Sequence, residues 1–373
     1  MRRRIVIVGG GISGLALLHY LKQNCGHEEI VLLEKNDHLG GTIRSLKKQG
    51  CLFETGPNGF LDSKPRTLAL IKELGLESSL IRADESSRVR YISLRQTLHP
   101  FPTTPQNFCS SRLLNPFEKV RILGEFFVPR ATHPEETVYE FGKRRLGERF
   151  SQVFLDPMVS GICGGDSRQT NLKAAFPRIY QLEQEYGSLF KAMIKIRKAK
   201  KKTQKQSQRA AIGSPTGTLT SLRGGLSEIV EAAGRRYEAD ICLQAPVETV
   251  FLKDGRYEVH CANGKQYIAD QLFLCSPAYG ASRMLKNIDQ SLCEELEKIR
   301  YAPMAVIGLV FSEKYFAKKP RGYGYLIPSL EKKEVLGVLF ESDIFPGRCA
   351  PGQVLLRVMI GGARHPDIIR KSR

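Results

Sequence analysis

The sequence contains no tryptophan, no C-x-x-C pair and no apolar segment long enough to cross a bilayer. Its longest apolar run, residues 302–311, is about half of the ~20 residues that a membrane-spanning helix requires. The cysteines are scattered, and no group of cysteine and histidine has the spacing of a zinc site. Met1 and three arginines lead directly into an apolar strand, so we expect no secretory signal. These absences exclude a transmembrane protein and a zinc protein, and they favour a cytoplasmic one.

Positive charge is in large excess, with 57 lysines and arginines against 38 aspartates and glutamates, a formal net charge of +19. Such a field attracts polyanions, which could be nucleic acid, anionic lipid or an acidic small molecule. No nucleic-acid-binding module is present, and basic residues are not interleaved with aromatic ones in a recognition pattern. Nucleic acid is therefore the least favoured partner.

A glycine-rich turn near the N-terminus carries the clearest functional signal. Four β-branched residues, 5–8, predict a buried strand, and Gly9, Gly11 and Gly14 follow in G-x-G-x-x-G spacing. Gly9 permits the tight turn, Gly11 allows the backbone to approach a pyrophosphate, and Gly14 allows the following helix to pack closely. A second predicted strand ends at Glu34, where a carboxylate can accept hydrogen bonds from ribose hydroxyls. The order of strand, turn, helix and strand predicts a dinucleotide-binding unit.

Two more glycines, Gly40 and Gly41, follow the acidic residue and precede Arg44. They would allow the backbone to approach the diphosphate a second time, with Arg44 as a charge-assisted donor. The same pattern is also compatible with an ordinary surface loop and a solvated arginine. This extension resembles flavoproteins of the glutathione-reductase and amine-oxidase type, which favours FAD over a nicotinamide cofactor. No second G-x-G-x-x-G occurs, so we expect one nucleotide and direct oxidation of a bound substrate.

At 373 residues the chain predicts two or three domains. The predicted segments are 1–86 (first part of the FAD-binding domain), 87–190 (helical), 191–221 (first part of a substrate domain), 222–283 (second FAD-binding part) and 284–373 (second substrate part). The helical segment alternates apolar and basic faces, which is typical of peripheral membrane binding and equally of ordinary amphipathic helices on a core. The basic run at 193–209 is a solvated helix end, a mobile linker or a contact for anionic lipid.

Taken together, the motifs resemble the protoporphyrinogen oxidase family of FAD enzymes, which is related to the amine oxidases. The likeness covers essentially the whole chain, and its parts are residues 9–44, 56–57, 134–138, 144–147, 156–166, 221–225, 322–324 and 335–337. The resemblance implies an α/β fold: a Rossmann-like FAD-binding domain, an α+β substrate domain and a helical, membrane-associating domain. It implies a cytoplasmic protein, peripheral on the membrane, and it leaves a homodimer open.

The implied reaction is a six-electron oxidation of a porphyrinogen to a porphyrin, with hydride passing from a meso carbon to the flavin. The cofactor carries this chemistry, and neither a nucleophilic triad nor a metal cluster is expected. Protoporphyrinogen and coproporphyrinogen are both open as substrates. Alternatives are a related flavin amine oxidase or desaturase, and an inactive protein that only binds porphyrin.

Site residues follow from the resemblance. Arg90, in the segment R-Y-I, would pair with a ring propionate, Tyr323 would stack on a pyrrole ring, and the carbonyl of Gly161 would accept a proton. The positions that match FAD contacts are Gly9, Gly10, Gly11, Ile12, Ser13, Gly14, Glu34, Lys35, Gly41, Thr42, Arg44, Gly56, Pro57, Asn58, Gly59 and Val247.

The family normally continues well beyond the glycine pair at 361–362 and returns to the flavin, whereas this sequence ends at Arg373. The expectation is a fragment, or a degenerate copy that holds FAD less well.

Overall fold

The computed structural model describes residues 3–26, 28–131, 135–202 and 217–370. These form two compact units: unit 1 comprises Met1–Arg82 and Thr218–Tyr301, and unit 2 comprises Ala83–Gly217 and Ala302–Arg373. The five segments inferred from the sequence stay a prediction. The basic run at 193–209 is helical up to Lys202, and its remainder lies outside the described residues.

The strands, numbered in chain order, are β1 (Arg4–Val8), β2 (Glu29–Leu33), β3 (Ser45–Lys48), β4 (Cys51–Glu54), β5 (Phe60–Leu61), β6 (Leu80–Arg82), β7 (Arg90–Leu94), β8 (Thr97–Pro100), β9 (Leu219–Leu222), β10 (Ile241–Cys242), β11 (Val247–Lys253), β12 (Arg256–Cys261), β13 (Gln266–Ala269), β14 (Gln271–Leu274), β15 (Met304–Ser312), β16 (Gly324–Leu326), β17 (Val335–Leu339) and β18 (Gln353–Gly361).

The α-helices are α1 (Ile12–Asn24), α2 (Pro65–Glu73), α3 (Pro105–Ser110), α4 (Pro116–Leu123), α5 (Val138–Leu146), α6 (Glu148–Phe150), α7 (Asp156–Cys163), α8 (Leu172–Ala175), α9 (Pro177–Tyr186), α10 (Leu189–Lys202), α11 (Ser227–Arg236), α12 (Ala278–Leu285), α13 (Gln290–Glu297) and α14 (Glu341–Ile344). A 3-10 turn, Gly124–Phe127, follows α4, and a π-helical turn, Ser151–Leu155, joins α6 to α7.

Unit 1 is built on a parallel sheet with the strand order β10-β2-β1-β14. Side chains alternate between its two faces: Ile5 and Ile7 pack in the cluster that includes α1 and α11, whereas Val6 and Val8 pack against the antiparallel sheet β11-β12-β13. Covering on both faces explains why β1 is continuously apolar. Full burial of each such side chain contributes about 1.5–3 kcal/mol. The predicted α/β fold is confirmed, and β11, β12 and β13 form two consecutive hairpins.

Unit 2 contains a six-stranded mixed sheet with the order β15-β18-β17-β16-β7-β8. Four of its neighbouring pairs are antiparallel, and β7 pairs with β16 in parallel. This parallel pair joins two segments that are distant in the sequence. It brings the R-Y-I segment beside the G-Y-G turn.

Two helices of unit 2 begin with reciprocal side-chain caps. Asn115 and Glu118 form a reciprocal capping box on α4, and Thr137 and Glu140 form one on α5. Farther along α5, Arg145 is fully buried, and its guanidinium contacts the carboxylates of two buried glutamates. Among the described helices, none combines the length and apolar character needed to cross a bilayer.

Candidate functional site

The glycines of the first turn have different structural roles. A Cβ at Gly14 would lie less than 3.0 Å from the carbonyl oxygen of Gly9, so Gly14 is required by the fold itself. Gly9 has φ +111° and a Cβ there would lie 2.8 Å from the oxygen of Cys275. A Cβ at Gly11, by contrast, would meet no atom of the described residues within 4 Å other than its chain neighbours. The space above Gly11 is therefore open to a ligand.

Helix α1 begins directly after this open space. Gly11 is its N-cap residue and provides no side-chain acceptor, and the first turn contains no acidic residue. The N–H groups of the first turn, which include those of Ile12 and Ser13, lack intrahelical acceptors. With the positive end of the helix dipole they form an anion-binding site. The arrangement suits a diphosphate.

Glu34 lies at the end of β2 and is buried. Its Oε2 accepts the backbone N–H of Gly10 at 2.7 Å, and its Oε1 accepts the backbone and side-chain N–H groups of Asn36 at 2.9 and 2.8 Å. Since each carboxylate oxygen offers two lone pairs, Oε2 retains capacity for a hydroxyl donor. The sequence did not lead us to expect the hydrogen bonds from Asn36 to Glu34. The position of Asn36 two residues after Glu34 was the one indication of them. The next residue after Glu34, Lys35, is exposed.

The second glycine pair lies against the first turn. The N–H of Gly40 donates to the oxygen of Gly10 at 2.8 Å, and Gly41 lies beside Gly11, with its Cβ position 3.4 Å from the Gly11 Cα. The structure therefore places 40–41 against the first turn, and their contact with a diphosphate stays a prediction. Arg44 is exposed, and its carbonyl accepts the N–H of Thr55 at 2.9 Å.

The 56–59 turn and the start of β11 complete the cofactor positions of unit 1. A Cβ at Gly56 would lie less than 3.0 Å from the oxygen of Thr42, and one at Gly59 would lie 2.6 Å from that of Thr220. Between them, Pro57 is exposed and Asn58 is half-buried. Val247 packs against the cluster that contains Val6 and Val8.

Two carboxylates hold the turn 223–226 in place, and the sequence reasoning missed both. Glu54, fully buried, accepts the N–H of Leu226 at 2.9 Å and the hydroxyl of Ser45 at 2.7 Å. Glu228 accepts the N–H of Gly224. An acidic residue that ends the apolar strand β4 was the signal for Glu54.

In unit 2 the parallel pairing of β7 with β16 aligns Arg90 with Gly324. The guanidinium carbon of Arg90 lies 5.1 Å from the centre of the Tyr323 ring, within the range of a cation–π contact. The N–H of Tyr323 donates to the oxygen of Val89 at 2.7 Å. Burial raises the pKa of the Tyr323 hydroxyl above its ordinary value, so the phenol stays neutral. The two side chains assigned to the substrate are thus adjacent.

Both glycines that flank Tyr323 are conformationally required. Gly322 has φ +114° and Gly324 has φ +132°, and an added Cβ would collide with the backbone oxygen of Val89 at Gly322 and with that of Val338 at Gly324. The N–H of Gly322 also donates to Oδ2 of Asp343 at 2.7 Å. These contacts fix the position of the tyrosine ring.

Gly161 lies in the last turn of α7, where a Cβ would collide with Leu326 of β16, three residues after Tyr323. Gly164 ends the helix with φ +62°, and its oxygen accepts the N–H of Ala363 at 2.7 Å. At the other end, the buried carboxylate of Asp156 pairs with Arg364 at 2.7 Å. The structure therefore brings Gly161 next to the strand that follows Tyr323.

Within the described ranges, no group of three histidine, cysteine, aspartate or glutamate side chains could hold a metal ion.

Comparison with known proteins gives consistent results. The family model "Flavin containing amine oxidoreductase" matches residues 12–373. The chain is 30% identical to the protoporphyrinogen oxidase of Homo sapiens over 97% of this chain and 78% of the relative. It is 28% identical to the coproporphyrinogen III oxidase of Bacillus subtilis over 100% of this chain and 80% of the relative. A solved structure from Exiguobacterium sp., provisionally assigned as a protoporphyrinogen oxidase, aligns with a TM-score of 0.82 and 25% identity, covering 100% of this chain and 80% of that one.

Proposed function

The chain belongs to the family of flavin-containing amine oxidoreductases, and on that premise we propose that it oxidises a porphyrinogen to the corresponding porphyrin. It is an FAD-dependent oxidoreductase. Its relatives include proteins named for protoporphyrinogen and for coproporphyrinogen oxidation, and both compounds are candidate substrates. Protoporphyrinogen is the first candidate and coproporphyrinogen the second.

Unit 1 provides the cofactor site in this proposal. The space above Gly11 and the N-terminus of α1 accommodate and neutralise the diphosphate. Glu34 binds the ribose through the remaining lone pairs of its carboxylate. When bound, FAD accepts hydride from the substrate and passes the electrons to oxygen or another acceptor.

Unit 2 binds and orients the substrate. Arg90 pairs with a propionate, and Tyr323, held by its two flanking glycines, stacks on a pyrrole ring. Gly161 acts through its backbone: carbonyls in the last turn of a helix lack intrahelical donors and carry partial negative charge. That carbonyl accepts a proton from the porphyrinogen. The observation that carries the proposal is the adjacency of Arg90 and Tyr323, at 5.1 Å, because a carboxylate anchor and a stacking ring side by side match a carboxylated tetrapyrrole.

The test is to mix each porphyrinogen with at least three equivalents of the purified FAD-loaded protein without oxygen, because each FAD takes up two of the six electrons. Flavin absorbance and porphyrin fluorescence are followed together. We expect loss of the oxidised-flavin absorbance as fluorescence rises. Reduction of the flavin by simple amines but by neither porphyrinogen would favour the amine-oxidase alternative. Binding of porphyrin without any oxidation of either porphyrinogen would favour the inactive alternative.

We also propose that unit 2 attaches to an anionic membrane surface. Four large apolar side chains on α4 and the following turn are exposed, namely Phe117 (86%), Val120 (65%), Leu123 (67%) and Phe127 (90%). Four such side chains at helical spacing form an apolar patch of the kind that inserts into an interface. The net charge of +19 favours anionic lipid as the partner.

Co-sedimentation with vesicles tests this attachment. Replacing Phe117 and Phe127 by serine should reduce binding to phosphatidylglycerol vesicles at least tenfold, since about 0.8 kcal/mol is lost for each CH₂ that no longer inserts. Tyr315→Ser is the matched control, because Tyr315 is 73% exposed but lies after β15. Equal binding of the double variant and wild type would contradict the proposal.

A further inference from the structure

Two consecutive residues after β18 hold both ends of helix α7. At the C-terminal end, the N–H of Ala363 donates to the oxygen of Gly164 at 2.7 Å. At the N-terminal end, the guanidinium of Arg364 pairs with the carboxylate of Asp156, the first residue of the helix, at 2.7 Å. The helix has eight residues and is ~12 Å long. The side chain of Arg364 therefore lies along the helix, from its C-terminal end toward its N-terminal end.

Arg364 contacts its neighbours through two of its three nitrogen atoms. Its Nη2 pairs with the carboxylate of Asp156 and donates to the main-chain oxygen of the same residue at 2.9 Å. Its Nη1 donates to the oxygen of Ile327, directly after β16, at 3.3 Å. The side chain is 9% exposed, and its Nε has no acceptor among the described residues. Arg364 thus ties the start of α7 to the end of β16.

The position of α7 matters because this helix carries Gly161. A Cβ at Gly161 would collide with Leu326 of β16, so the helix lies as close to this strand as a glycine permits. The helix ends at Gly164 in the left-handed conformation, and the carbonyls of its last turn lack intrahelical donors. Backbone hydrogen bonds make a helix of ~2 turns move as one body. A shift at Asp156 therefore moves the carbonyl of Gly161 as well.

A role in stability alone is the alternative for Arg364. It would consist of balancing the charge of Asp156, which is buried and would be left without its cation. The same carboxylate, however, also accepts the hydroxyl of Ser167 and the N–H of Ser329, each at 3.0 Å. Charge balance does not require the two contacts of Arg364 with main-chain oxygens. Those two contacts fix the helix relative to the strand.

We propose that Arg364 is a positioning residue for porphyrinogen oxidation, which holds α7 against β16 and so keeps the carbonyl of Gly161 where it accepts the proton of the substrate. The inference rests on the proposed function and on the role given there to Gly161. Misplacement of a reacting group by about 1 Å lowers a rate by up to ~100-fold. Loss of the arginine should therefore slow the oxidation, whereas substrate affinity, which Arg90 and Tyr323 provide, stays nearly the same.

The experiment compares Arg364→Met with wild type, both FAD-loaded and mixed without oxygen with an excess of porphyrinogen, so that each FAD is reduced once. The limiting rate constant of flavin reduction should fall ~10- to 100-fold. The porphyrinogen concentration that gives half of this rate constant should hardly change. In heavy water the solvent isotope effect on the rate constant should rise, because proton transfer to the misplaced carbonyl becomes the slower step. A role in stability alone would change neither the rate constant nor the isotope effect.

Arg144→Met is the matched control. Arg144 also lies in unit 2 and also pairs with glutamates, with Glu136 at 2.7 Å and with Glu183 at 2.9 Å, but it belongs to α5. Its loss should lower the thermal stability and leave the rate constant and the isotope effect at their wild-type values. Hydrogen exchange of the apoprotein gives a readout without cofactor: residues 156–164 should exchange faster in Arg364→Met than in Arg144→Met.

Wild-type values of the rate constant and the isotope effect in Arg364→Met would overturn the inference and leave the proposed function standing. Slower reduction without a larger isotope effect would overturn the action through Gly161. A wild type whose flavin is reduced by neither porphyrinogen would overturn both proposals.

Flavin content and thermal unfolding report whether Arg364→Met folds. If it does not, Arg364→Lys carries the test. Its single ammonium can pair with Asp156 but cannot also replace the contact with Ile327, so flavin reduction should be slowed in the same direction and by less. Wild-type values in Arg364→Lys would then overturn the inference.

Discussion

Replacement of Gly11 by alanine should weaken cofactor binding while leaving the apoprotein intact. Gly11 has φ −73° and ψ 179°, which any residue adopts, and an added Cβ meets no described atom within 4 Å beyond its chain neighbours. The methyl group would instead occupy the space assigned to the diphosphate. Such a steric conflict costs about 1–3 kcal/mol, so the Kd for FAD should rise by roughly 5- to 150-fold.

The magnitude is measurable through stability. At an FAD concentration of 100 times the wild-type Kd, binding stabilises the folded protein by about 2.7 kcal/mol, and a tenfold weaker site at the same concentration gives about 1.4 kcal/mol. Thermal unfolding with and without FAD, together with titration of the apoprotein, gives both numbers. Gly14→Ala is the contrasting variant: its Cβ would collide with the Gly9 oxygen, so the apoprotein itself should lose stability. If Gly11→Ala binds FAD as tightly as wild type, the diphosphate does not lie at this turn.

Two further variants test the scaffold. Arg145→Met should lower the free energy of unfolding in urea by about 3–5 kcal/mol, because buried Glu125, 2.8 Å from the guanidinium, would lose its cation and buried Glu183 would keep only Arg144. Lys143→Met, exposed on the same helix, should change the free energy of unfolding by less than about 1 kcal/mol. Similar values for the two variants would contradict this role of Arg145. The hydrogen bond from His19 holds the pKa of Glu73 below its ordinary value, so the ionised carboxylate contributes stability above its unfolded pKa, and this stability is lost as pH falls through the lower folded pKa. Glu73→Gln should therefore flatten the pH dependence of the urea midpoint below about pH 4.5. An unchanged pH dependence of the urea midpoint in this range would contradict the prediction.

The nucleotide-binding half of unit 1 was predictable because its determinants are local. The apolar run 5–8, the glycine spacing and Glu34 all fall within one strand, turn, helix and strand, and each residue is constrained by neighbours that are near in sequence. The collision of a Gly14 Cβ with Gly9 is one example. Capping boxes at Asn115 and Thr137 were predictable for the same reason.

The long-range contacts were not predictable in this way. Nothing in the R-Y-I segment indicates a partner strand, and its parallel pairing with β16 depends on the packing of the whole unit. Glu54 and Glu228 bind backbone N–H groups of a turn that looks like an ordinary glycine pair. A buried carboxylate is stable only with such donors, but the sequence does not say which residues provide them.

The roles of Arg90, Tyr323 and Gly161 came from resemblance alone, and their positions give those roles a physical rationale. An exposed arginine and an aromatic residue are common on any surface, yet the pairing of β7 with β16 makes this pair adjacent, and two glycines that cannot be replaced hold the ring between them. Since the cofactor carries the redox chemistry, the protein's own contribution in the proposed function is to bind and orient the substrate through this pair.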